Sequence, residues 1–186
     1  MRGARIWNNV DDGIDLWEFL SPVTIEDTIS WGNGFNRWGF SDFAGDGNGF
    51  KLGGGDAKPP ANHVVTNCVA FLNAVDGFID NGQTGSLTLT HNTAFNNGRN
   101  GFKFGASKST LTKNVAASNK GVAADITGTQ TQSGNSWNVG GTWNNATFKS
   151  VSSSAVTGSR ASDGKIVGSD FLLPVSGADI GATTYW

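Results

Sequence analysis

The chain has 186 residues, 27 of them glycine, and its 13 lysines and arginines against 15 aspartates and glutamates leave a net charge of −2. That mixture is short of helix formers and rich in small, turn-making residues, and the length suits one domain around one core. No stretch approaches the roughly 18 consecutive apolar residues of a membrane span, and neither a membrane nor a nucleic acid is an expected partner.

Met1–Trp7 reads as part of a repeat already under way and not as a signal peptide. Asn9-Val-Asp-Asp-Gly13-Ile-Asp-Leu16 then sets a pattern. It recurs as Asp46-Gly-Asn-Gly49-Phe-Lys-Leu52, Asn73-Ala-Val-Asp-Gly77-Phe-Ile-Asp80, Asn97-Gly-Arg-Asn-Gly101-Phe-Lys-Phe104 and, more weakly, Asn119-Lys-Gly121-Val-Ala-Ala124. Laid on the glycine, the next residue is Ile14, Phe50, Phe78, Phe102 and Val122, apolar throughout. The one after it is Asp15, Lys51, Ile79, Lys103 and Ala123, so one column points inward and its neighbour outward. Short alternating runs at Val23–Glu26, His63–Thr66, Ser86–Thr90 and Ser109–Thr112 each read as a strand, so every coil holds at least two.

Asn9 and Asn33, then Asn73 and Asn97, lie about 24 residues apart, which suits one coil of a solenoid. Leucine-rich repeats need a leucine ladder that is missing, and helical repeats are longer, which leaves an all-β parallel β-helix. The coil between Asn33 and Asn73 is longer, its surplus falling in Gly34–Phe43 and Gly53–Pro60, and such insertions tend to line a binding face. These loops flank Lys51. The repeat fades after Trp137, giving coils over residues 1–145 and a Ser- and Gly-rich tail over 146–186 that packs on or caps the solenoid. The lone Cys68 reads as a buried small hydrophobe, and His63 and His91 as structural residues in strand-like runs.

Coils stack about 4.8 Å apart, so the register puts Lys51 one coil from Asp15 and Lys103 two coils further on, all in one outward column. Asp11, Asp12 and Asp15 converge beneath that lysine, a costly concentration of charge unless a cation neutralises it. Ca²⁺, with its six to eight oxygen ligands, suits such a cluster. The plainer alternative is that Asp11-Asp-Gly13 is only a turn and the lysines are solvated.

Asn8–Trp17, Pro22–Glu26, Trp31–Gly34 and Gly47–Gly54 together resemble the catalytic stretch of polysaccharide lyase family 9, the right-handed parallel β-helix pectate lyases. The 36 residues from Asp15 to Lys51 match that family, and Asp170–Pro174 is similar to its ending. The resemblance implies β-elimination on polygalacturonate or a related acidic polysaccharide, with Asp11, Asp12 and Asp15 holding Ca²⁺ and Lys51 as the base. A further metal ligand in that family comes from the preceding coil, about 24 residues before Asp11, and the chain is expected to be an N-terminally incomplete portion. Lys103, Arg99, Arg37 and Lys108 are the cations expected to meet substrate carboxylates, with Trp17, Trp31 and Trp38 as stacking or packing residues. An extracellular monomer is expected. The alternatives are a non-catalytic polysaccharide-binding β-helix and a lyase for another uronate polymer such as rhamnogalacturonan.

Overall fold

The computed structural model describes residues 1–56 and 60–186. Five coils follow one another, each with three short strands among the described residues, one more than the minimum expected. The first holds β1 (Arg5–Trp7), β2 (Ile14–Asp15) and β3 (Thr24–Glu26), and the second β4 (Ile29–Trp31), β5 (Phe50–Lys51) and β6 (Val64–Thr66). Next come β7 (Val69–Phe71), β8 (Phe78–Ile79) and β9 (Thr88–Thr90), then β10 (Thr93–Phe95), β11 (Phe102–Phe104) and β12 (Thr110–Thr112). The fifth holds β13 (Val115–Ala117), β14 (Ala124–Ile126) and β15 (Thr131–Ser133). Strands in corresponding positions pair in parallel and build three five-stranded sheets, in the orders β1-β4-β7-β10-β13, β2-β5-β8-β11-β14 and β3-β6-β9-β12-β15. The chain is a parallel β-helix.

Phe50, Phe78 and Phe102 stack inside it, with centroids 4.6 and 4.9 Å apart and planes within 10°. Ile25, Val65, Leu89 and Leu111 stack beside them from the third sheet. The weak fifth copy is offset from the register read in the sequence. Ala124 pairs with Phe102 and Asp125 with Lys103, while Val122 is exposed and Ala123 is not in the lysine column. The asparagine, not the glycine, marks the register: Phe78, Phe102 and Ala124 each stand five residues after Asn73, Asn97 and Asn119.

Those asparagines are structural. Asn33 donates through Nδ2 to Asn73 Oδ1 (2.8 Å), Asn73 to Asn97 (3.0 Å) and Asn97 to Asn119 (2.9 Å). Each Oδ1 also accepts the backbone N–H of the preceding asparagine. A second ladder joins Asn92, Asn114 and Asn135. Cys68 heads it: its N–H donates to Asn92 Oδ1 and its Sγ faces the carbonyl of Ile25 at 3.7 Å. Buried polar groups at the corners are thereby satisfied coil by coil.

Residues 146–186 run back along the outer face of the first sheet. Phe148, Val156, Ile166, Phe171, Leu172 and Ile180 form a second apolar cluster with Ile29, Val69, Phe71, Phe95 and Val115. Phe171 meets Phe71 edge-on at 5.2 Å, and Phe148 meets Phe95 at 5.9 Å.

Candidate functional site

The outer face of the second sheet carries the column Asp15, Lys51, Ile79, Lys103 and Asp125, fixed by the pairing of β2, β5, β8, β11 and β14. In each strand the residue just before turns inward, from Ile14 to Phe102, and this alternation aims Asp15 and Lys51 to the same side. Gly13 and Gly49 lie where coils nearly touch; a Cβ on Gly13 would stand 2.6 Å from the carbonyl oxygen of Gly49. Only glycine lets Asp12 and Asp15 sit that close to the next coil.

Lys51 is 4% exposed, its ammonium enclosed by carboxylates. Nζ lies 3.1 Å from Asp12 Oδ2, 3.3 Å from Asp15 Oδ2 and 3.0 Å from Asp46 Oδ2, and 4.9 Å from the centre of the Trp17 ring. Asp12 is buried, and its Oδ1 accepts from both the backbone N–H (2.7 Å) and the side-chain amide (2.8 Å) of Asn48. Asp11 Oδ1 accepts the N–H of Asp46 at 2.6 Å, and Asp15 Oδ1 that of Trp17 at 2.9 Å. Carboxylate oxygens of Asp11, Asp12 and Asp15 lie within 4.8 Å of one another.

Burial disfavours the charged ammonium of Lys51, but hydrogen bonds to Asp46 and Asp12 and the charges of Asp12 and Asp15 outweigh it and hold its pKa above the ordinary lysine value. Burial pushes the Asp12 carboxyl up, against the pull of the Asn48 N–H and of Lys51. Three carboxylates contact the one ammonium, and that of Asp11 stands beside two of them. At 4.8 Å two such charges repel by about 3.5 kcal/mol at an effective dielectric of about 20, so a further cation is favoured there.

The structure thus brings Asp11, Asp12, Asp15 and Lys51 together and sets Lys103 two coils along the same column. The other three expected cations lie apart from the cluster. Arg99 is engaged with the buried Asp76 through Nε (3.0 Å) and Nη2. Arg37 donates to the carbonyl of Gly32 and lies over the Phe35 ring. Lys108 stands exposed at the entrance to β12, its N–H donating to Gly85. Trp31 is packed between Trp7 and Phe71, whereas Trp17 and Trp38 are half exposed. Of the long coil's surplus, Gly34–Phe43 leads into Asp46, and Gly54 packs against the Trp17 ring; Ala57, Lys58 and Pro59 lie outside the described residues. His63 Nδ1 accepts from Val23, and burial pushes the Cys68 thiol up to about 12.

Asp46 and Asn48 were not singled out from the sequence. A signal for Asn48 was present: Asp12, Asn48, Asp76 and Asn100 all precede the repeat glycine, and the Oδ1 of each accepts an N–H of the next coil.

Comparison with known proteins adds the following. The family described as the Pel9A-like, right-handed β-helix region matches residues 1–114. Pectate lyase PEL9 of Emericella nidulans is 54% identical over 100% of this chain and 50% of its own length. Pectate lyase L of Dickeya dadantii is 39% identical over 88% of this chain and 38% of its own. The crystal structure of pectate lyase Pel9A superimposes with a TM-score of 0.76 at 34% identity, covering 98% of this chain and 45% of that one. A rhamnogalacturonan lyase gives 0.78 at 25% identity, covering 94% and 47%. The chain spans half or less of the length of these relatives.

Proposed function

Because the chain belongs to the Pel9A-like right-handed β-helix family, we propose that it carries the reaction face of a pectate lyase that opens polygalacturonate by Ca²⁺-dependent β-elimination. One observation carries the reading: a single buried lysine among four carboxylates on the open face of the second sheet.

Asp11, Asp12 and Asp15 would hold the cation, being hard oxygen donors that converge and that outnumber the one ammonium beside them. When bound, Ca²⁺ supplies positive charge to the substrate carboxylate, where negative charge develops in the reaction. A cation held on Asp12 and Asp15 would offset the charges that keep Lys51 protonated and favour its neutral amine, with the displaced proton passing to solvent; in that form Nζ would take the proton from C5 of the uronate, α to the substrate carboxylate. The C5–H electron pair becomes the C4–C5 double bond, the bond from C4 to the glycosidic oxygen breaks, and the oxygen leaves with a proton from solvent. Asp46 holds Lys51 Nζ from the loop side, and the Asp12–Asn48 bonds keep the cluster in place. Lys103 would serve a neighbouring carboxylate of the polymer, with the exposed Lys108 and Arg37 reaching units further along; Arg99, held by Asp76, would act only through its field. A polymeric substrate of that kind supports an extracellular place of action.

The likeness to a rhamnogalacturonan lyase supports a second reading in which the same face acts on that polymer. Both polymers, offered with Ca²⁺ to the chain as it stands and to the chain with the preceding coil grafted from the Emericella nidulans relative, separate the readings. Ultraviolet-absorbing unsaturated products from polygalacturonate, abolished by a chelator, are expected. Products from rhamnogalacturonan alone would favour the second reading, and retention of polymer without products would mark a binding protein.

A further inference from the structure

We propose that the cavity around Lys103 is a carboxylate pocket that reads the uronate unit two residues along the polymer from the unit at Lys51, distinguishing a free acid from its methyl ester. The inference rests on the reading of this face as a polyuronate site. A cavity of about 340 Å³ opens on the second sheet between the corner Asn81–Gly82 and residues Gly105 and Thr127, with Lys103 on its wall. Lys51 pairs with Ile79 and Ile79 with Lys103, so the two ammonium-bearing positions are two coils apart, roughly 10 Å along the axis. A 1,4-linked pyranose advances by about one coil spacing. Every unit of polygalacturonate carries a carboxylate; where alternate units turn theirs toward the sheet, the first unit lies at Lys51, the ring of the second over Ile79, and the carboxylate of the third at Lys103.

The charge of Lys103 is free for this. Lys51 and Arg99 are committed to carboxylates, whereas among the described residues Lys103 makes no ion pair and no side-chain hydrogen bond. Two carboxylates share its cavity. Asp80 is buried, and its Oδ2 already accepts from the N–H groups of Gly105 (2.9 Å), Ala106 (3.0 Å) and Ser107 (2.9 Å) and from the Ser107 hydroxyl (2.8 Å). Asp125 is next to Lys103 in the register, outside ion-pair distance of it, and its field also reaches Arg99. The Lys103 side chain is half-buried on the outer face beside Ile79, its neighbour in the column, which leaves the ammonium for a charged partner. A carboxylate gains a charge-assisted bond there that an ester cannot make.

Calorimetry on this chain with tetragalacturonate and with its methyl ester, each in the presence of Ca²⁺, tests the pocket in the parent, Lys103→Met and Lys103→Arg. Lys103→Met keeps the stem, so the melting temperature should hold. The expected result is an affinity for the acid about tenfold lower in Lys103→Met, equivalent to roughly 1.4 kcal/mol, unchanged affinity for the ester, and near-parental binding in Lys103→Arg. Equal affinities for the acid in parent and Lys103→Met would make Lys103 a solvated surface lysine and overturn the pocket alone. A parent that binds neither form would overturn the polyuronate reading, and the pocket with it.

Discussion

Asp12 and Asp46 both touch Lys51, yet their surroundings differ sharply. The Asp12 side chain is 1% exposed and is the acceptor for two groups of Asn48, whereas that of Asp46 is 60% exposed and sits on a loop. Removing one partner of a buried pair typically costs about 3–5 kcal/mol, and an exposed pair contributes about 1 kcal/mol or less. In urea unfolding, Asp12→Ala should lose about 3 kcal/mol or more and Asp46→Ala less than about 1; equal losses would contradict this division. Asp11, Asp12, Asp15 and Lys51 were legible because matching two coils in register aligns Asp15 with Lys51. Asp46 was not, because its position depends on the path of residues 34–45, which has no counterpart in the other coils. The engagement of Arg99 with Asp76 was equally hidden, since no spacing rule shows that a buried aspartate lies under it.

Coils were legible from the asparagine spacing, but the reason for the asparagines lies in the corners. Leu72, Asn96 and Ser118 adopt left-handed backbone conformations, with φ of 56°, 52° and 55°, and turn the following asparagine into the interior. Asn97→Ala would strand the N–H of Asn73, one of the two hydrogens on its Nδ2 and the carbonyl of Ala70 in a buried corner, where each unsatisfied group costs about 1–3 kcal/mol. Thermal or urea unfolding should show a loss of at least about 3 kcal/mol; a loss under 1 would mean that water replaces the ladder. The glycine of the fifth copy misled because Gly121 stands two residues after Asn119, whereas Gly101 stands four after Asn97. The first sheet was missed because strands such as Thr93–Phe95 are buried on both faces, by the core and by the tail, and carry no polar alternation to read.

Across the whole molecule the tail covers the first sheet and leaves the second sheet's face open, so one side of the solenoid is apolar packing and another is the candidate reaction surface. The fold was legible at this scale; the course of residues 146–186 was not, because nothing repeats in them. His63 joins two coils by accepting the Val23 N–H at Nδ1, and burial holds its pKa below 6.5. The unfolded chain therefore takes up a proton first, so the stability His63 contributes is present above about pH 6.5 and is lost as pH falls through the lowered folded value. His63→Asn, which keeps an acceptor in place, should flatten the fall in stability below about pH 6.5 in denaturant titrations, and an unchanged limb would remove His63 from that role. The central claim is that Lys51 is the base of a lyase whose cation sits on Asp11, Asp12 and Asp15. Its most direct test is the rate of unsaturated product formation from polygalacturonate by Lys51→Ala in the grafted chain, with the Ca²⁺-induced rise in melting temperature measured in the same samples. Loss of nearly all turnover with the Ca²⁺ shift retained is the expected result, and a Lys51→Ala variant that keeps most of its turnover would contradict the account.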